Sequence, residues 1–148
     1  MPISLNLPNL ITFCNIFFGF ESGSPRILDK LNRHYSPEEI ERTVDTCIAA
    51  GIIPHASFMI GLPWETRDDV EATLALIERI NTPFLLLNLL TPFPGTPIYD
   101  AAEQHGLDVF DHDSEEEGQI DMAAVFHQTG SLTAEEIREL WIEGTGLV

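Results

Sequence analysis

Basic residues are scarce in this sequence: 7 Lys and Arg stand against 24 Asp and Glu, for a formal net charge of -17. Lys30 is the only lysine, and past Tyr99 the only cation is Arg138. With no basic patch to meet phosphates, nucleic acid and anionic membrane surfaces are excluded as expected partners. Cysteine is scarce too. Cys14 and Cys47 are far apart and form no CxxC pair, so neither a disulfide framework nor a cysteine metal site is expected, and a reducing cytoplasm is the expected location. No uninterrupted apolar run is long enough to span a bilayer. The first twenty residues lack a basic start and contain Pro2 and Pro8, which argues against a signal peptide.

The usual catalytic signatures are also missing. There is no GxGxxG and no GxxxxGK[ST]. Gly19 to Gly23 reads G-F-E-S-G, which misplaces the serine for a nucleophile elbow. Asp111, Asp113 and Glu115 suggest a calcium loop, but the sixth position lacks glycine and the twelfth is Met122. His34, His55, His105, His112 and His127 have no zinc spacing. No nucleophile, lysine or metal constellation supports a hydrolase or an aldolase-like enzyme.

What is present is a rhythm of strands and helices. Hydrophobic residues make up 44% of the chain, enough for a core. Residues 11–20 are apolar and aromatic and read as a buried strand. Ser24 and Pro25 then form an N-cap and a first-turn proline, opening a short helix that buries Ile27, Leu28 and Leu31. Ser36-Pro37-Glu38-Glu39 is a capping box, with Ile40, Val44, Cys47 and Ile48 on the inner face of the next helix and Gly51 as its stop. Cys47 is therefore a core residue. Residues 52–60 read as a second strand. Thr66 caps a helix over 67–80, with Asp68 and Asp69 in its first turn. Residues 84–90 are nearly all apolar, in the manner of a parallel strand covered on both faces. A helix over 97–105 ends at Gly106. Residues 108–130 look irregular and acidic, and Thr133-Ala134-Glu135-Glu136 opens a last helix with Ile137, Leu140 and Trp141 inward.

Three βα units in a row predict a parallel sheet. Function in such folds gathers at the C-terminal ends of strands. Three loops fall there: residues 21–24, 61–66 and 91–97. Glu21 and Ser22 could hydrogen-bond sugar hydroxyls, with Gly23 giving a ligand access to the backbone; the same letters also suit a capped turn without a ligand. Met59, Ile60 and Gly61 could receive a flat ring, or form an ordinary βα turn. The prolines around Phe93 could wall an aromatic ligand, or make a structural corner.

Three segments in order carry a family resemblance: Gly19-Phe20-Glu21-Ser22-Gly23-Ser24, Phe58-Met59-Ile60-Gly61-Leu62-Pro63-Trp64-Glu65-Thr66, and Thr91-Pro92-Phe93-Pro94-Gly95-Thr96-Pro97-Ile98-Tyr99. Together they resemble strands four to six of radical S-adenosylmethionine (radical SAM) barrels. The likeness runs over residues 11–107, more weakly over 132–140. It looks nearest to the cobalamin-binding radical SAM proteins, the group of the anaerobic magnesium-protoporphyrin ester cyclase and various methyltransferases; methylthiotransferases resemble it more distantly. The resemblance implies an α/β fold, part of a TIM-type (β/α) barrel with about three βα units and a C-terminal helix. It implies a partial core barrel over residues 1–107 and an acidic irregular segment with a terminal helix over 108–148.

The resemblance also implies roles. Glu21 and Ser22 match the ribose-contacting position, and Arg33 matches an arginine that in several members binds the SAM carboxylate, a pairing suited to a guanidinium fork. Ser57 lies where the next strand can reach the ribose. Met59, Ile60 and Gly61 match the adenine-contacting segment, and Phe93 packs near the adenine. The family's CxxxCxxC loop is absent, as is the strand-two glycine segment that holds the SAM amino group, and Trp64 replaces a glycine of the GLPGET pattern. In the family three cysteines hold a [4Fe–4S] cluster, whose electron cleaves SAM to a 5′-deoxyadenosyl radical. The expectation is a fragment carrying part of the SAM surface, inactive alone and in need of a cluster-bearing partner or missing N-terminal half. A half barrel with open edges is also expected to self-associate. The alternative is a stand-alone interaction or pseudo-enzyme module.

Overall fold

The computed structural model describes residues 14–80, 82–110, 125 and 127–146. Strand β1 (Cys14–Glu21) is followed by helices α1 (Pro25–Lys30) and α2 (Pro37–Ala49). Then come β2 (Ile52–Ile60), α3 (Arg67–Arg79) and β3 (Phe84–Leu89). Two short helical turns, α4 (Pro97–Asp100) and α5 (Ala102–His105), lead to β4 (Asp108–Val109); β5 (His127–Gln128) and α6 (Ala134–Thr145) complete the order. The single helix expected over 97–105 is broken at Ala101. The segment expected to be irregular contains a short antiparallel pairing, Asp108 with Gln128 and Val109 with His127. The calcium-like triplet lies outside the described residues.

β1, β2 and β3 form a parallel sheet in sequence order. The described residues form an α/β unit with three parallel strands and no closed barrel. Local signals explain most boundaries. Ser36 and Glu39 satisfy each other's backbone N–H groups at the start of α2, at 2.8 and 3.3 Å. Thr133 and Glu136 do the same for α6. Gly106, at φ +70°, ends α5 in the left-handed region.

The core lies between the helices and one face of the sheet. Phe20, Ala56, Phe58, Ile60 and Leu87 meet Leu28 of α1, Ile40 and Val44 of α2, and Val70, Leu74 and Ile77 of α3. Leu132, Ile137 and Leu140 join the same cluster, so residues on both sides of position 108 share it. Cys47 is buried, but Ile48, expected on the inner face, is 40% exposed. Two adjacent positions on a helix are about 100° apart, so both cannot point at one narrow core.

Strand alternation sends the other residues to the opposite face. There Phe17, His55 and Phe84 are in register, with ring centroids 4.2 and 4.3 Å apart. Phe17 is 73% exposed and Leu86 53%. The expectation that β3 is covered on both faces is therefore corrected: among the described residues it is covered on one, because the described helices pack on a single side of the sheet.

Candidate functional site

The open face ends, at the C-terminal edge of the strands, in a row of polar side chains. Gly19 pairs with Ser57 and Met59 with Asn88. The Asn88 amide donates to Ser57 Oγ at 3.0 Å and to the Phe58 carbonyl at 3.1 Å. The register between β1 and β2 shifts between Gly19 and Glu21, and Glu21 takes φ +67°. A bulge with a left-handed non-glycine residue is a costly way to end a strand. Here it swings the Glu21 carboxylate back over Gly19, where a Cβ would lie 2.7 Å from Glu21 Oε1. Arg33 Nη2 donates to that same oxygen at 3.1 Å. Glu21, Arg33, Ser57, Met59 and Asn88 thus line one edge of the sheet.

Other expected site residues lie elsewhere. Ser22 is fully buried and does not reach the open face. Its hydroxyl meets Thr73 Oγ1 at 3.1 Å and accepts from the Ser24 N–H at 3.1 Å. The glycine at 23 serves helix packing, not ligand access: a Cβ there would sit 2.6 Å from the Ala72 carbonyl oxygen and 2.7 Å from Thr73 Cα. The Ile60 side chain is in the core, and its carbonyl accepts from the Leu90 N–H at 2.9 Å. Gly61 is buried behind the edge. Phe93 is 59% exposed on the loop after β3.

Two buried networks stand behind the edge. Asp69 on α3 receives the Ser24 hydroxyl at 2.6 Å, and the Thr66 N–H and hydroxyl at 2.9 and 2.6 Å. The Arg26 guanidinium bonds both Asp69 oxygens and also donates to the Trp64 carbonyl at 2.6 Å. Burial pushes the Asp69 carboxyl up, but the bonds from Arg26, Ser24 and Thr66 outweigh it and hold the group well below the usual carboxylate range. Trp64 itself lies between Lys30, 5.6 Å from its ring centroid, and His105, 5.6 Å away edge-on. Trp64 therefore ties the second loop to α1 and α5.

The second network grips Gly61. Glu65 is fully buried, and its Oε2 accepts the Gly61 N–H at 2.7 Å and the Leu62 N–H at 2.9 Å. Burial pushes the Glu65 carboxyl up to about 7 against the opposing pull of those two bonds. On the other side His127, also fully buried, places Nε2 2.6 Å from the Gly61 carbonyl. That oxygen can only accept, so Nε2 carries the proton.

Sequence reasoning missed Asn88, Asp69, Glu65 and His127. Asn88 had a usable signal, being the single polar residue in an apolar strand. His127 had none, because its partner is 66 residues away.

No three His, Cys, Asp or Glu side chains gather as a metal site among the described residues. Cys14 is exposed on β1 and Cys47 is buried in α2. No described helix is long and apolar enough to cross a membrane.

A strand-end edge of this kind on a parallel α/β unit is the sort of place where enzymes hold small ligands. Residues 9–77 match the radical SAM superfamily model, and the chain belongs to that superfamily. It is 35% identical over 92 residues to an uncharacterized methyltransferase of Pyrococcus horikoshii, covering 62% of this chain and 20% of that protein. It is 31% identical over 121 residues to the hopanoid C-2 methylase of Rhodopseudomonas palustris, covering 81% of this chain and 23% of the relative. A tRNA-2-methylthio-N(6)-dimethylallyladenosine synthase of Aeromonas hydrophila is 33% identical over 104 residues, covering 69% and 21%. The chain thus spans about a fifth of the length of the curated relatives it matches.

Proposed function

We propose that this chain supplies one side of the SAM-binding surface of a radical SAM enzyme, whose parent reaction is the reductive cleavage of SAM. One observation carries the reading: Glu21 with Arg33, Ser57 with Asn88, and Met59 share one face and one end of three adjacent parallel strands. The donor set suits SAM. Glu21 and Ser57 can hydrogen-bond ribose hydroxyls, and Asn88 orients the Ser57 hydroxyl. Arg33 offers a fork to the amino-acid carboxylate, exchanging its bond to Glu21 for one to the ligand. Met59 can lie against the adenine, with Phe93 as a further wall. Ser22 acts from behind, holding the first loop on Thr73.

A [4Fe–4S] cluster supplies the electron in the parent family. Cys14 and Cys47 do not fit one, so no step through a cluster is assigned to these residues. In this reading the ligands come from a partner or from a part of the enzyme outside the 148 residues, and a cobalamin-dependent methyl transfer is the nearest parent chemistry. Calorimetric titration with SAM tests the reading. Saturable binding, weakened about tenfold by Arg33→Ala as expected for a lost charged fork, supports it; a folded protein that takes up no SAM overturns it.

The second reading is an interaction module. The exposed Phe17, Leu86 and Phe84 favour it, since a bare apolar face invites association. A chain that self-associates and takes up no SAM would favour that reading; a SAM-binding monomer excludes it.

A further inference from the structure

Gly61 is held at both its N–H and its C=O. It takes φ +86°, and with no Cβ to restrict it a glycine turn can adopt other conformations unless something holds it. Its N–H is held by Glu65 and its C=O by His127. The preceding carbonyl, that of Ile60, is held by Leu90. Any Cβ at 61 would lie 3.1 Å from His127 Nε2, so the ring packs directly on the turn as well as bonding it.

The origins of the two groups differ. Glu65 lies inside the segment that matches the superfamily model, whereas His127 lies outside it, on β5 just before α6. Neither side chain reaches the open face, since both are fully buried. Among the described residues, Glu65 Oε1 and His127 Nδ1 are buried with no hydrogen-bond partner.

We propose that His127, with Glu65, is a positioning residue for the nucleoside ligand: together they fix the Gly61 turn and so the end of β2 that carries Met59 to the ligand edge. The inference rests on the SAM reading of that edge. It adds that the C-terminal segment takes part in ligand binding without touching the ligand. Loss of the His127 bond frees the Gly61 carbonyl, lets the turn rotate, and makes SAM binding select the held conformer from a mixture.

The test compares His127→Leu, which keeps volume and loses the donor, with His127→Gln, which keeps a donor. SAM affinity is read by calorimetry and folding by circular dichroism. The expected result is a loss of about tenfold in affinity for the leucine variant and recovery to within about threefold of the native value for glutamine. Equal affinity for the native protein and a folded leucine variant overturns the proposal, as does a glutamine variant as weak as leucine. If His127→Leu does not fold, hydrogen exchange at the Gly61 and Leu62 amides of the native protein replaces it. Those amides are expected to gain little protection on SAM binding, because the turn is already held; large ligand-induced protection overturns the proposal. Failure of the SAM reading looks different, because the native protein itself then takes up no SAM.

Discussion

The indole N–H of Trp141 donates to the carbonyl of Leu87 at 2.9 Å, so α6 is bonded to the backbone of β3 as well as packed on it. Gly144, one turn on, makes the approach possible, since a Cβ there would overlap the Leu87 and Leu74 side chains. Trp141→Phe keeps most of the packing and loses the bond, and is expected to cost about 1 kcal/mol. Trp141→Ala removes both and is expected to cost about 3 kcal/mol. Urea unfolding of the two variants separates the contributions; equal losses would refute the assignment of a separate hydrogen-bond share.

Asp69 gathers the first two loops, so its charge should matter more than any one partner. Asp69→Asn is expected to cost about 2 kcal/mol at neutral pH, because charged hydrogen bonds are replaced by weaker ones. Arg26→Met should cost less, because Ser24 and Thr66 still bond the carboxylate and Arg26 is half exposed. The depressed folded-state value of the Asp69 carboxyl means that its stability contribution is present above about pH 4 and lost as pH falls below it. A variant order reversed from this one would show that Arg26, not Asp69, organises the cluster.

Gly23→Ala tests the close approach of the first loop to α3. The added methyl meets backbone atoms of Ala72 and Thr73, which cannot swing aside as a side chain can. A loss of about 2 kcal/mol is expected, within the range for overpacking. Thermal unfolding checks it; an unchanged midpoint would mean that the loop has room the structure does not record.

The pH dependence of Glu65 has the opposite sign to that of Asp69. A carboxyl whose folded-state value is raised from 4.5 to about 7 binds more protons folded than unfolded between those values. Stability therefore falls as pH rises across that window, by up to ~3 kcal/mol for the full shift. His127, lowered by burial, works the other way: its contribution is complete above pH 6.5 and lost as pH falls. Arg26 and Asp69 also act on Glu65 electrostatically, in opposite directions. Glu65→Gln is expected to gain stability relative to the native chain as pH rises from 5 to 8. Urea titrations at the two pH values measure it, and parallel profiles would remove the buried charge from the account.

Many element boundaries could be read from the letters because turns and caps are local. Ser36 with Glu39, Thr133 with Glu136, and Gly106 announce their elements within a few residues, and the structure places elements there. Glu21 and Arg33 also proved to be neighbours, within one βα unit. Ser22 misled because a polar residue after a strand looks alike whether it faces solvent or helix. The bulge at Glu21 turned it inward to Thr73, a partner 51 residues away.

The sequence by itself determined the βα rhythm, the helix starts, the burial of Cys47 and the absence of a cluster loop, because each depends on neighbours a few positions apart or on composition. Tertiary structure alone decided which face of the sheet stays open, which turn carbonyl a distant histidine would hold, and which serine reaches the edge. Those outcomes depend on how a strand's bulge and a helix's closest approach settle together. That geometry arises when the chain packs, and no spacing of residues encodes it.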